Sequence, residues 1–259
     1  MRRSSSPPRS RGRDVEPRPR FLDAVAVASD LHAGQRRRGT DIPYIAHLLV
    51  VTGLVIEDGG GEDEAIAALL HDAIEDAGGA ATRDAIAERF GARVAAIVEA
   101  CSDTLDPDPE EPWLQRKQRY LEHLPQITDE GVLRVALADK VHNARSIVRD
   151  YRREGHGLWE RFGRRTARDQ LWYYGRLLAF FEQRCPGPLT EDLRHSVGEL
   201  CWLVLHDRAH WRRRGPGRLR SRLAALALAL YARLADHPSD HALRAEAGPE
   251  AVPARARAT

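Results

Sequence analysis

The chain has 259 residues and a formal net charge of +2, from 40 Lys and Arg against 38 Asp and Glu. That balance excludes a general electrostatic affinity for nucleic acid, because the basic residues form local clusters rather than a broad field. Three cysteines, Cys101, Cys185 and Cys201, are too few and too scattered for a disulfide framework, which suits a reducing cytoplasm. No run reaches the ~18 apolar residues that span a bilayer.

In chain order, the Arg-, Ser- and Pro-rich start reads as a disordered extension over 1–19; an organelle transit peptide is the minor alternative. From there helical periodicity dominates and strand-like alternation is almost absent, so the expected fold is all-α. Helices are predicted over 20–33, 43–57, 62–77, 82–89, 92–102, 113–124, 129–149, 157–183, 189–210 and 217–235. They are punctuated by the glycine pairs at 59–60 and 78–79, the proline-rich stretch near 107–112 and the PGP at 186–188. Thr82 and Thr190 are placed as N-caps. The expected organisation is a helical domain over 20–184, a C-terminal helical extension over 185–235 and a disordered tail over 236–259. The Leu/Ala stripe of the extension must be buried within the chain or against a second copy, which leaves a homodimer open.

The most informative segment is EDEAIAALLHDAIEDAG, with His71, Asp72, Glu75 and Asp76. At about 100° per residue, Asp72, Glu75 and Asp76 lie about 100°, 40° and 140° from His71, all on one side of one helix. One imidazole and three carboxylates on one face are costly unless a cation neutralises them. The plain alternative is a solvated acidic face with an incidental histidine. Two further segments argue against that alternative. His47 stands in the apolar PYIAHLLVV, where a lone histidine is ordinarily a satisfied core residue. Asp139 follows the apolar run of VLRVALADKVHNARSIV, with Asn143 one turn on. An aspartate inside such a helix must be paired or bound to metal. His47, His71, Asp72 and Asp139 together suit a six-coordinate divalent ion such as Mn, Fe or Mg, and no thiolate takes part.

The order H … HD … D on helices resembles the HD-domain metal-dependent phosphohydrolases. LHAGQRRRGTDIPYIAHLL, LLHDAIEDAG and LADKVHNARSI resemble, more closely, the (p)ppGpp hydrolase domain of bifunctional alarmone synthetase/hydrolases and of small stand-alone alarmone hydrolases. The resemblance runs from about Phe21 to about Arg184. It implies His47, His71, Asp72 and Asp139 as metal ligands, with Mn²⁺ the expected ion. It implies Glu75 and Asp76 as the acids that activate water, and Asn143, Arg37, Arg38 and His32 as residues facing the nucleotide. Leu48 and Ala77 depart from the family's usual Pro and Thr, and the loop from Gln35 to Tyr44 differs in length. The family's pocket is bounded by the stretch equivalent to 101–121, which puts Arg116 and Lys117 at a phosphate and Trp113 against a base. The aromatic set Trp172, Tyr173, Tyr174, Phe180 and Phe181 recurs at helical spacing and reads as core.

Ester hydrolysis at phosphorus needs an activated water and countercharge, which Lys140, Arg145 and the Arg36–Arg38 run would supply beside the metal. The expected activity is release of pyrophosphate from (p)ppGpp, giving GDP or GTP. The alternatives are an HD phosphatase on NADPH or another nucleotide, and a nucleotide-binding sensor without turnover. A cytoplasmic enzyme with a nucleotide substrate, and no nucleic-acid or membrane partner, is expected.

Overall fold

The computed structural model describes residues 19–102, 111–162 and 167–206. The N-terminal extension, the acidic Pro-rich stretch at 103–110, the helix predicted over 217–235 and the tail after it lie outside the described residues. Among the described residues the regular structure is helical, with a lone antiparallel bridge between Arg36 and Pro43. Ten α-helices follow in order: α1 Pro19–Leu31, α2 Ile45–Glu57, α3 Glu62–Leu70, α4 Ala73–Ala77, α5 Gly79–Phe90, α6 Ala92–Cys101, α7 Trp113–His123, α8 Glu130–Glu154, α9 Ala167–Arg184 and α10 Pro188–His206. None is long and apolar enough to cross a membrane.

α8 is the central element. Asp129 caps it, accepting from the backbone amides of Gly131 at 2.8 Å and Val132 at 3.3 Å, and Gly155, at φ 59°, ends it. Its first half is apolar almost all round because α2, α3, α6 and α10 pack about it. Arg134 holds this end in place by pairing with Asp58 at 3.1 Å and with Glu64. α3 is equally enclosed, with Ala65 to Leu70 fully buried, while Glu62, Asp63 and Glu64 fill its first turn and complement the helix dipole. Truncating Leu69 or Leu70 to alanine would cost about 2–5 kcal/mol. α10 joins the same core through Leu193, Val197 and Leu200, packing on α8 and α9.

Several boundaries differ from the sequence reading. The helix predicted over 62–77 is two helices, α3 and α4, broken at His71–Asp72. The His71 ring donates from Nδ1 to the Ala68 carbonyl at 2.9 Å, taking the acceptor that the Asp72 amide would use in a continuous helix. The predicted helix over 157–183 is a 3₁₀ stretch at Gly155–Phe162 followed by α9. Thr82 lies inside α5, which starts at Gly79, so it is no N-cap. Thr190 is likewise inside the first turn of α10, and its hydroxyl donates back to the Cys185 carbonyl at 2.5 Å.

Candidate metal centre

Three elements bring the buried donors together. α2 carries His47 in its first turn, the α3–α4 break carries His71 and Asp72, and α8 carries Asp139. His47 Nε2 lies 3.3 Å from His71 Nε2 and 3.3 Å from Asp139 Oδ1, and His71 Nε2 lies 3.6 Å from the same oxygen. Donor atoms of His47, His71 and Asp139 all fall within 4.8 Å of one another, and all three residues are buried. Asp72, half-buried, adds Oδ2 at 3.1 Å from His71 Nε2 and 3.5 Å from His47 Nε2. Two imidazoles and two carboxylates therefore point at one small space. This set fits a divalent metal ion bound by nitrogen and oxygen.

The electrostatics carry the same message. Burial pushes the His71 pKa down, but Asp72 and Asp139 outweigh it and hold the ring well above the ordinary histidine range. Burial likewise pushes Asp72 and Asp139 up, and is outweighed by His71 and His47 at Asp72 and by Lys140, His47 and His71 at Asp139, so both stay well below the carboxylate range. The cluster thus takes up positive charge, as a proton on His71 or as a metal that displaces it.

Supporting contacts fix the donors. Tyr44 donates its hydroxyl to Asp72 Oδ2 at 2.6 Å, and its ring stacks on His32 with centroids 5.0 Å apart. His47 Nδ1 faces His142 Nδ1 at 2.6 Å. Burial, then His47 and Arg37, lower the His142 pKa to about 3, which keeps that ring neutral. Asn143 donates to Asp139 Oδ1 at 2.5 Å and Lys140 to Oδ2 at 2.7 Å, while Arg37 donates to the Asn143 side-chain Oδ1 at 2.7 Å.

A cavity of about 210 Å³ opens from the cluster, lined by His71, Asp72, Asp139 and Glu75 together with Arg37, Lys117 and Lys140. The next, of about 400 Å³, shares Arg37, Glu75, Lys117 and Lys140 and adds Arg38, Arg116 and Trp113. Lys117 lies over the rings of Tyr173 at 5.5 Å and Tyr120 at 5.8 Å, an α7–α9 contact that aims the cation at the shared wall.

Most residues singled out from sequence therefore meet here, and some do not. Arg145, expected as countercharge to the substrate, lines neither cavity and pairs with Asp192 of α10 at 2.7 Å. Asp76 lines neither cavity and is exposed. Gln35 donates to its Oδ2 at 2.8 Å, and Gln35 also accepts from His32 at 2.6 Å. His32 itself is buried against Tyr44 and lines neither of these two cavities. Arg36 turns to the Asp41 carbonyl. Tyr44, His142 and Gln35 were missed. Their signal was spacing, since Tyr44 stands one turn before His47 and His142 three residues after Asp139.

Comparison with known proteins bears on this arrangement. A protein of Synechocystis, named a probable guanosine-3′,5′-bis(diphosphate) 3′-pyrophosphohydrolase, is 34% identical over 125 residues, which are 48% of this chain and 16% of that one. The bifunctional (p)ppGpp synthase/hydrolase SpoT of Escherichia coli is 34% identical over 132 residues, 49% of this chain and 18% of that one. The chain thus spans under a fifth of the length of these relatives. A solved structure described as a metazoan ortholog of SpoT that hydrolyses ppGpp is 24% identical, with a TM-score of 0.46, covering 66% of this chain and 99% of the other. The HD domain pattern matches residues 24–167, a span that holds every donor of the cluster and most of the walls of both cavities, and by that match the chain belongs to the HD domain family.

Proposed function

We propose that the chain is a metal-dependent phosphohydrolase that releases pyrophosphate from the 3′ position of (p)ppGpp. The observation that supports this reading best is the cavity of about 210 Å³ whose lining joins the cations Arg37, Lys117 and Lys140 to the donors His71, Asp72 and Asp139. A pyrophosphate group carries about three negative charges and needs dense countercharge, which guanidinium and ammonium groups supply as donors. The curated relatives' names point to the same substrate.

His47, His71, Asp72 and Asp139 would hold the ion, and Mn²⁺ suits their mixed nitrogen and oxygen character. A bound divalent ion would supply Lewis acidity toward water and phosphate oxygen. The chain's own residues do the rest. Glu75, which lines both cavities, takes the proton of the attacking water. Asp76, tied through Gln35 to His32, steadies α4 beside it. Lys140 and Asn143 fix both oxygens of Asp139, so that carboxylate keeps one orientation as charge builds on the phosphoryl oxygens. Arg37, Lys117 and Lys140 receive that charge, and Arg38 and Arg116 hold the remainder of the nucleotide.

Incubation of the Mn²⁺-loaded chain with ppGpp, followed by chromatography, tests the reading. GDP and pyrophosphate are the expected products. Intact ppGpp beside turnover of NADPH rejects it in favour of another HD phosphatase. Binding of nucleotide with no turnover of either rejects it in favour of a sensor.

A further inference from the structure

The larger cavity has a polar wall that neither the metal nor the phosphates use. On α8, at about 100° per residue, Asn143, Ser146 and Asp150 all fall within about 40° of Asp139. The helix therefore presents one polar stripe into the pocket, running ~16 Å from the metal cluster to Asp150 at 1.5 Å per residue. Ser146, Asp150 and, across from α8, Gln170 of α9 all line the cavity of about 400 Å³. All three are buried, and Gln170 is only 4% exposed. Asp150 receives Arg149 Nε at 3.1 Å and Arg161 Nη1 at 3.4 Å, which leaves part of its accepting capacity open to the pocket. Among the described residues, the Gln170 carboxamide and the Ser146 hydroxyl make no side-chain hydrogen bond. Both groups border the cavity, where a ligand can complete them.

We infer that Asp150 and Gln170 read the base of the nucleotide and select guanine over adenine. The inference rests on the proposed reading of the site as a nucleotide pocket. A carboxylate accepts two parallel hydrogen bonds from the N1–H and exocyclic N2–H of guanine, and a carboxamide N–H donates to O6. Adenine presents the reverse pattern. Its N1 is an acceptor that would meet the Asp150 oxygens with no hydrogen between them, whereas the Gln170 carboxamide can turn its oxygen to N6–H₂, so the choice falls on Asp150 and Gln170 completes the contact to the base. Trp113, on another wall of the same cavity, offers a flat face for either base and so adds affinity without choice.

Calorimetric titration of the Mn²⁺-loaded full chain with GDP, IDP and ADP tests this. Wild type should bind GDP at least about tenfold more tightly than ADP, the scale of one well-made base contact. IDP, which lacks the 2-amino group, should fall between them. Asp150→Asn should bring GDP and ADP to within about threefold of each other, and Gln170→Leu should weaken both nucleotides. Gln170→Glu keeps the size of the side chain but offers only acceptors, so it should weaken GDP more than ADP, which keeps the test open if the leucine variant melts early. Equal affinity for GDP and ADP in wild type overturns the inference, an unchanged ratio in folded Asp150→Asn overturns the role of Asp150, and unchanged GDP affinity in the folded Gln170 variants overturns that of Gln170. Wild type that prefers GDP but leaves ppGpp intact rejects the proposed reaction and leaves the base reading standing. Wild type that cleaves ppGpp but binds GDP and ADP alike does the opposite.

Discussion

His47 and His142 face each other through their Nδ1 atoms at 2.6 Å, one ring on α2 and the other on α8. One of the two must carry the hydrogen. A ring that ligates a metal through Nε2 carries its hydrogen on Nδ1, so in the metal-holding arrangement His47 would donate and His142, kept neutral by burial, would accept. His142 thereby orients His47 without touching the ion space itself.

His142→Ala should lower Mn²⁺ affinity by roughly 10–100-fold, the usual scale for an outer partner of a ligating histidine. His142→Asn, which keeps a hydrogen-bond acceptor, should recover part of it. Metal titration followed by calorimetry measures both, and equal affinity in all three proteins would show that the ring pair is incidental.

Glu75 and Asp76 are neighbours with different surroundings, and their variants should differ. Glu75→Gln should retain metal and lower kcat on ppGpp by roughly 10²-fold or more, as for a lost general base. Asp76→Asn should cost less, and Gln35→Ala should cost about as much as Asp76→Asn because the two share one hydrogen bond. Steady-state kinetics with metal analysis decides it. A larger loss in Asp76→Asn than in Glu75→Gln would reverse the roles.

The loop that carries Arg37 and Arg38 turns at Gly39, at φ 69°, against the side chain of Arg161. A Cβ there would overlap that side chain as well as strain the backbone. Gly39→Ala should destabilise the fold by about 1–3 kcal/mol and raise KM for ppGpp. In an Arg161→Ala background the steric part should vanish and the backbone part remain. A thermal-melt double-mutant cycle reads the difference, and full additivity would remove the contact from the account.

Asp129 caps α8 and pairs with Arg93, which is the chief reason its pKa falls to about 2. A lowered carboxylate pKa contributes stability that is present above the unfolded value near 3.9 and is lost as pH falls through about 2. Asp129→Ala should therefore cost about 1 kcal/mol at neutral pH, mostly from the lost cap. It should also flatten the fall in stability between about pH 4 and pH 2, measured by urea melts across that range.

Much of this was legible in the chain, and the remainder shows where spacing stops. Helical periodicity and glycine punctuation located nearly every helix, because buried faces repeat at the helical period. His47, His71, Asp72 and Asp139 could be grouped because each interrupts an apolar run that has no other use for it. The break at His71–Asp72 could not be read, since it depends on a ring competing with a backbone amide for one carbonyl. His142 could not be assigned as a support because its orientation depends on how closely α2 approaches α8 across 95 residues of chain. Arg145 was within reach. Six residues after Asp139 it lies about 120° around the helix, toward α10, whereas Ser146 and Asp150 return to the face of Asp139.

The hydrogen bond from His71 to the Ala68 carbonyl sets function against regularity. The side chain that offers a ligand nitrogen also withholds from its own backbone the acceptor that would let α3 run on into α4. Substituting alanine removes a donor from the cluster and, in the same stroke, returns that carbonyl to the Asp72 amide and favours an unbroken helix. In chelator, His71→Ala also takes away the ring that offsets Asp72 and Asp139, so the regained backbone bond competes with two carboxylates left less neutralised and the variant should melt below wild type; with Mn²⁺ the gap should widen. One ring thus ends a helix and completes a donor set, and neither role can be removed alone.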